Sequence, residues 1–303
     1  MQTTDLTNSF ALTRRTFLET GTLFLAGLSV TSPLIAQEPS PAPQFGLLTD
    51  LHYADKPPAG TRYYRETLPK LQEAVETLSA ERPTFVVELG DLIDAADDVE
   101  TERSYLKTIN QTFQALAEER HYVLGNHCVD TLTKAEFLEE VGQKSSYYSF
   151  DRAGFHFVIL DACFRSDGQP YGRKNSHWTD ANLPADELDW LAADLKAHPQ
   201  PTIIFAHQRL DIAKNHSVKN AAAVRQILET HGQILAVFQG HSHQNDLQTI
   251  AGIPYCTIAA MIEGSGEAQN SYAMVSLFAD RSLHLKGFHR QADRQWGAAE
   301  KPE

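Results

Sequence analysis

Residues whose side chains bind metal ions occur in five short clusters along the chain. The clusters are Asp50-Leu-His52, Gly90-Asp91-Leu-Ile-Asp94, Gly125-Asn126-His127, His207 and Gly240-His241-Ser-His243. Carboxylate oxygen and imidazole nitrogen suit borderline divalent metals such as Mn, Fe or Zn, and paired metal sites hold two such ions about 3.5–4 Å apart. The residue types therefore predict a hydrolytic site with two metal ions, in which Asp91 is the natural bridge.

An apolar run with strand character precedes each cluster. These runs span residues 45–49, 85–89, 122–124, 203–205 and 234–238. The polar residues would then lie on loops at the carboxyl ends of strands, the edge where open α/β sheets place their ligands. Apolar stripes between the clusters predict helices near residues 68–78, 105–116, 137–141, 188–195 and 224–228, and apolar runs predict further strands near 155–160, 257–262, 272–277 and 283–288.

In this order, the five clusters resemble the motif set of the calcineurin-like metallophosphoesterase superfamily, from about Phe45 to the early 280s. The resemblance implies an α/β fold, a four-layer sandwich of two mixed β-sheets flanked by helices. It also implies that His127 is the catalytic histidine and that Asp94 orients it. The implied ligands are Asp50, His52, Asp91 and His243 for one metal, and Asp91, Asn126, His207 and His241 for the other.

Such a site implies a hydrolase of phosphoester or phosphoanhydride bonds. Two cations lower the pKa of a bridging water, so that hydroxide attacks phosphorus in line with the leaving oxygen, and His127 assists the leaving group. The expected cofactors are two divalent ions, manganese first, with iron or zinc as alternatives.

Three positions separate this chain from other branches of the superfamily. Cys128 stands where relatives commonly carry an acid, which puts a supporting hydrogen bond in doubt. Ala95 replaces the arginine of protein Ser/Thr phosphatases, and Asp94 occupies the place of the iron-binding tyrosine of purple acid phosphatases. We therefore expect neither a protein phosphatase of that branch nor a ferric tyrosinate site.

Arg62-Tyr-Tyr-Arg65 resembles the start of the first helix in manganese-dependent ADP-ribose and CDP-alcohol diphosphatases. Arginine suits bidentate contact with phosphate. Arg165 and Arg173, on a long loop spanning residues 164–184, are further candidates for substrate binding, because such loops are usually functional. These features favour a small substrate of nucleotide type, cleaved at a phosphodiester or pyrophosphate bond.

The amino terminus predicts export. Thr13-Arg14-Arg15-Thr-Phe-Leu18 resembles a twin-arginine signal, and the apolar segment after it is too short for a stable membrane anchor. The predicted segments are a signal peptide over residues 1–36 that engages the twin-arginine export machinery, a linker over 37–43, a phosphoesterase domain over 44–290 and a tail over 291–303. The mature protein would be periplasmic or secreted.

The net charge bears on which partners the protein binds, and the cysteine content bears on whether it contains disulfides. The formal net charge of -13 argues against nucleic acid as a partner. Three scattered cysteines, Cys128, Cys163 and Cys256, predict reduced, partly buried thiols and no disulfide framework, although one pair could form in an exported protein. Three alternatives stay open: a phosphomonoesterase of the same fold, a metal-binding domain without activity, and a metal-dependent hydrolase of non-phosphate bonds.

Overall fold

Two mixed β-sheets of six strands each lie at the centre of the structure, a computed structural model in which residues 42–297 are described. The first sheet contains β1 (Ala42–Leu48), β2 (Phe85–Glu88), β3 (Arg120–Tyr122), β10 (Ser271–Leu277), β11 (Leu283–His289) and β12 (Arg294–Trp296). Its strand order is β12-β11-β10-β1-β2-β3. Strands β1, β2 and β3 are parallel, whereas β10 runs antiparallel to β1.

The second sheet contains β4 (Tyr148–Arg152), β5 (Phe155–Ile159), β6 (Thr202–Phe205), β7 (Ile234–Gln239), β8 (Asp246–Ile250) and β9 (Ile253–Thr257). Its strand order is β4-β5-β6-β7-β9-β8. The four inner strands are parallel, and the edge strands β4 and β8 are antiparallel to their neighbours.

Aromatic side chains fill the space between the sheets. Phe45 and Phe85 of the first sheet meet Phe157 of the second, with ring centroids 5.9 Å and 5.0 Å away. Alternate residues of a strand face opposite sides, so Leu48 and Val86 belong to a separate core on the outer face of the first sheet. The sheets are therefore packed face to face, with a helical layer on each outer side.

Helices α1 (Thr67–Glu81), α2 (Val99–Phe113) and α3 (Lys134–Val141) cover the first sheet, and α4 (Ala185–Ala197) and α5 (Ala221–His231) cover the second. Helix α2 begins six residues earlier than the apolar stripe predicts, because the Asp98 side chain caps it by accepting a hydrogen bond from the Thr101 N–H. The predicted four-layer sandwich is confirmed. Within the described residues, no helix is both long and apolar enough to cross a membrane.

The strand predicted over residues 257–262 is wrong. The strand in this region is β9, which ends at Thr257, and the following buried residues form a loop beside the first cluster, where Met261 N–H donates to Thr49 O and Ile262 N–H donates to Asp50 O. Strands β4, β8 and β12 were not predicted, because their faces are too exposed to give an apolar run. Strand β1 begins inside the predicted linker and β12 lies in the predicted tail, whereas the predicted signal peptide lies outside the described residues.

Candidate metal centre

The five predicted clusters follow five parallel strands, β1, β2, β3, β6 and β7, and converge at their carboxyl ends. Two groups of donor atoms result, each with its atoms within 4.8 Å of one another: Asp50, His52 and His243, and Asp91, His207 and His241. Asp91 also groups with His52 and His127. It therefore lies between the two groups, as a bridging carboxylate must.

The donor atoms within each group are spaced as ligands of a common ion would be. In one group, His243 Nε2 lies 3.5 Å from Asp50 Oδ1 and 3.1 Å from His52 Nε2. In the other, His207 Nε2 lies 3.0 Å from Asp91 Oδ2. Asp91 Oδ2 also lies 3.6 Å from His52 Nε2, which joins the two groups.

Unpartnered buried atoms test whether metal ions fit this site. Asp50 Oδ1, Asn126 Oδ1 and His241 Nε2 are buried and take part in no hydrogen bond within the described residues. Leaving such an atom unsatisfied costs about 1–3 kcal/mol. Oxygen and imidazole nitrogen are also the donors that divalent metals of this class take. The residues therefore fit two metal ions.

The backbone at the site is held in an unusual conformation. Asp50, Asp91, His241 and His243 have φ values of 51°, 59°, 67° and 59°, and His52 has a φ of 45°. Residues other than glycine rarely adopt this left-handed region, and it costs of order 1 kcal/mol or more at each position. Strain of this kind at five candidate ligands indicates that the fold holds them in place for binding.

Two glycines allow the clusters to approach one another. A Cβ on Gly125 would lie 2.2 Å from Asp91 Oδ1, and one on Gly240 would lie 2.2 Å from Thr49 Oγ1 and 2.7 Å from Asp50 Oδ2. All three separations are far below van der Waals contact. Any side chain at these positions would displace a candidate metal ligand.

His127 and Asp94 form a pair beside the donor groups. His127 Nδ1 lies 2.5 Å from Asp94 Oδ1, and the His127 backbone N–H donates to Asp91 Oδ1 at 2.8 Å. Burial opposes ionisation of Asp94, but the contacts with His127 and His52 hold its pKa well below the usual value. The nearby Lys56 ammonium, which sequence reasoning missed, pairs with Asp94 Oδ2. Asp94 is therefore an ionised carboxylate that fixes the orientation of the His127 ring.

Two other partners orient ligand histidines. His243 Nδ1–H donates to Glu263 Oε1 at 2.6 Å, and His207 Nδ1–H donates to Leu89 O at 2.9 Å. Each bond leaves Nε2 free to face the metal, which is how ligand histidines are usually held. Sequence reasoning missed Glu263, because it belongs to no motif.

A buried lysine fixes the loop that carries Glu263. Lys70 Nζ donates to the carbonyl oxygens of Met261, Glu263 and Gly264 at 2.8, 3.0 and 2.8 Å. Burial lowers the pKa of Lys70 to about 8. Three backbone acceptors around one ammonium hold residues 261–264 against α1, and so hold Glu263 beside His243.

A cavity of about 360 Å³ opens onto the donors. It is lined by His52, Arg62, Asp91, Asn126, His127, Trp178, His216, His241 and His243.

Of the four predicted substrate arginines, the structure brings Arg62 alone to the lining. The other three lie elsewhere in ion pairs: Arg65 with Asp55, Arg165 with Asp167 and Arg173 with Glu136. His216 was not singled out from the sequence, and Trp178 lies on the loop over residues 164–184 that was expected to be functional.

The three cysteines are buried free thiols, as predicted. Cys128 packs in the core below the first sheet's helices, and burial raises the pKa of its thiol, reinforced by the charges of Glu88 and Asp91. A thiol in this state is a poor metal ligand. At the position where the sequence comparison expects an acid, Cys128 therefore makes only apolar core contacts. It does not disturb the two groups of metal-donor atoms.

Comparison with known proteins agrees with this geometry, although no family model matches the chain. It is 27% identical to the manganese-dependent ADP-ribose/CDP-alcohol diphosphatase of Danio rerio, over 82% of this chain and 96% of that protein. It is 24% identical to the serine/threonine-protein phosphatase CPPED1 of Mus musculus, over 80% of each chain. The crystal structure of a dimetal phosphatase from Danio rerio superimposes with a TM-score of 0.75 at 23% identity, covering 85% of this chain and 99% of that one.

The fold and the paired donor groups together define a class of protein. The chain has the metallophosphoesterase fold and is a hydrolase that acts on phosphoester or phosphoanhydride bonds. Its cofactors are two divalent metal ions. The relatives named for manganese make that metal the first to test.

Proposed function

We propose that the protein is a manganese-dependent diphosphatase that cleaves the phosphoanhydride bond of nucleoside diphosphate derivatives, such as ADP-ribose or a CDP-alcohol, into two phosphomonoesters. The observation that carries this proposal is the position of Arg62. Its guanidinium lines the metal cavity, and no hydrogen bond or ion pair engages it within the described residues. A free guanidinium beside a metal pair suits a second phosphate next to the one being cleaved.

The backbone fixes Arg62 in that place. Arg62 forms an antiparallel bridge with Glu263, and the flanking N–H groups of Tyr63 and Gly264 donate to Ile262 O and Thr61 O at 3.1 and 2.8 Å. The same Glu263 orients the ligand His243. The position of Arg62 relative to the metal site is therefore set by backbone hydrogen bonds, which makes it a specific contact point for a substrate phosphate.

The chain's own residues have separate roles in the proposed reaction. Asp50, His52, Asp91 and His243, with Asn126, His207 and His241, would hold two cations, which when bound supply a water of lowered pKa and neutralise the phosphate charge. His127, held by ionised Asp94, donates a proton or hydrogen bond to the departing oxygen. Arg62 binds the departing phosphate and Lys56 balances the charge of Asp94.

The test is a substrate panel with purified protein and added manganese. We expect kcat/KM for ADP-ribose or CDP-choline to exceed that for p-nitrophenyl phosphate and bis-(p-nitrophenyl) phosphate. The metal pair can bind the reacting phosphate of all four compounds, but only ADP-ribose and CDP-choline have a second phosphate that Arg62 can bind. The likeness to CPPED1 makes a phosphoprotein-type monoester a necessary comparison. A preference for the monoester would replace the proposal with the phosphomonoesterase alternative. Bound metal without turnover of any compound would support an inactive domain.

We also propose export through the twin-arginine pathway, on the sequence Thr13-Arg14-Arg15-Thr-Phe-Leu18 alone. A pathway that moves folded protein suits an enzyme that must bind its metals before transit. Replacing Arg14 and Arg15 by lysine should leave the precursor in the cytoplasm, measured by cell fractionation. An unchanged distribution would remove this part of the proposal.

A further inference from the structure

Trp178 is an exposed aromatic residue at the edge of the metal cavity. The residue is 37% exposed. It lies in a short helical turn, Trp178–Asp180, on the long loop before α4. An exposed indole at the mouth of a catalytic cavity is an available surface for stacking a flat ring.

Two histidines complete this surface. The His216 ring lies 5.2 Å from the Trp178 ring and 5.2 Å from the His241 ring, and Trp178 lies 5.6 Å from His241. The backbone holds His216 in position, because the Arg209 N–H donates to His216 O at 3.0 Å. The buried Arg209 side chain is itself fixed, by Asp211 at 2.6 Å and by Asp246 at 2.6 Å. Trp178 and His216 form what we call the aromatic platform.

The aromatic platform and Arg62 lie at opposite donor groups. The platform contacts His241, which belongs to the group with Asp91 and His207. Arg62 is bridged to Glu263, the partner of His243, which belongs to the group with Asp50 and His52.

His127 lies beside both His52 and the bridging Asp91, and its backbone N–H donates to Asp91 Oδ1 at 2.8 Å. Its ring centroid is 4.6 Å from that of His52. Arg62 is therefore beside the donor group of Asp50, His52 and His243, the stacking surface is beside His241, and His127 faces the space between them from next to Asp91.

We infer that the site binds a nucleoside diphosphate derivative in one orientation, with the base on the aromatic platform and the second phosphate at Arg62 and His127, so that water attacks the phosphorus that carries the nucleoside. This inference rests on the proposed diphosphatase function and adds the direction of cleavage to it. The base must be attached to the phosphoryl group that is retained, because the departing phosphate is on the other side.

The reaction balances as a hydrolysis. The oxygen of water bonds to the nucleoside-bearing phosphorus, and the bond from that phosphorus to the bridging oxygen breaks. The electron pair of that bond stays on the bridging oxygen, which takes a proton from His127 and leaves with the second phosphate. One hydrogen of the water replaces the proton that His127 gave up, and the other goes to solvent. The nucleotide product therefore contains the oxygen of water, and the other monoester does not.

Hydrolysis of ADP-ribose in ¹⁸O-water, with manganese present, measures this directly by mass spectrometry of both products. We expect the label in AMP and unlabelled ribose 5-phosphate. Label in ribose 5-phosphate would overturn the inference and leave the diphosphatase function standing. Absence of turnover with both ADP-ribose and CDP-choline, in protein that binds manganese, would overturn the proposed function and this inference together.

A variant series tests the aromatic platform as the base site. Trp178→Ala should raise KM for ADP-ribose by about tenfold or more, because base stacking is lost, while the manganese content stays at the wild-type level. Trp178→Phe should restore most of the affinity, since a phenyl ring also stacks. An unchanged KM in Trp178→Ala, or a loss that Trp178→Phe fails to restore, would contradict the assignment.

Discussion

His243 donates its Nδ1–H to Glu263 Oε1 at 2.6 Å, across 20 residues of sequence. The bond fixes the tautomer of a candidate metal ligand, because a proton on Nδ1 leaves the Nε2 lone pair free. Glu263 is in turn held by the three hydrogen bonds from Lys70 to its loop. One donor group thus depends on a carboxylate that is not itself a ligand.

Replacing that carboxylate should weaken metal binding without unfolding the protein. Glu263→Gln keeps the size of the side chain but removes its charge, so we expect manganese affinity to fall about 10–100-fold. Isothermal titration of the metal-free protein with manganese measures this. Glu76→Gln, an exposed residue of α1 that belongs to none of the candidate metal-binding groups among the described residues, is the matched control and should bind like the wild type. Equal affinities in the two variants would show that Glu263 does not support the ligand.

Asp91 and His127 should separate metal binding from turnover. Asp91 lies between the donor groups, so Asp91→Asn should lose bound metal and activity together. His127→Ala should keep its metal and lose about 10²–10⁴-fold in kcat, the usual contribution of a well-placed proton donor. Metal analysis beside steady-state kinetics checks both. If both variants retained metal equally, the assigned roles would not stand.

The sequence was sufficient to find those candidate donors that lie close together in the chain. Asp50 and His52 are two residues apart just after β1, and His241 and His243 have the same spacing after β7, so the sequence predicts each pair. Strand alternation does not place these side chains, because all four residues have positive φ values. The order of the strands then brings the pairs together. Residues of the site that stand alone in the sequence, outside any spaced motif, could not be found in this way.

Glu263 and His216 show why. Neither belongs to a spaced motif. Glu263 reaches the site through backbone pairing with the distant Arg62, and His216 reaches it through a local loop closed by the Arg209 N–H. The error over residues 257–262 has a related cause. A fully buried run has no alternation, so a strand and a buried loop look the same in sequence.

Arg62 and Arg65 provide a matched pair for the substrate proposal. The sequence treats them alike, but Arg65 Nε donates to Asp55 Oδ1 at 2.6 Å on the surface, whereas Arg62 lines the cavity. Arg62→Ala should lower kcat/KM for ADP-ribose about 10–100-fold, the effect of a lost hydrogen bond to a charged group. Arg65→Ala should remain within about threefold of the wild type, since an exposed pair is worth little. An equal loss of kcat/KM in both variants would mean that the substitutions act by disturbing the start of the helix, and not by removing a guanidinium that binds the substrate.

A second histidine site, remote from the metal centre, should make stability depend on pH. The His156 side chain is buried between two carboxylates, with Nδ1 2.7 Å from Asp151 Oδ1 and Nε2 2.9 Å from Asp194 Oδ2. The His198 ring stacks on it at 4.2 Å, and His231 is a more distant neighbour. Burial opposes the charge on His156, but the bonds to Asp194 and Asp151 raise its pKa above the usual value.

The sign of the pH effect follows from that raised pKa. The folded state binds a proton at His156 more tightly than the unfolded state, so the stabilisation is complete below about pH 6.5, the unfolded pKa, and is lost as pH rises through the folded pKa. We expect His156→Gln to lower the free energy of unfolding by about 1–2 kcal/mol near pH 6, with a smaller difference above pH 8. Urea unfolding at several pH values measures it. Asp151→Asn removes one of the two carboxylates and should show a weaker pH dependence of the same sign. If wild type and His156→Gln differed by the same amount at every pH, the ion pair would contribute nothing through its charge.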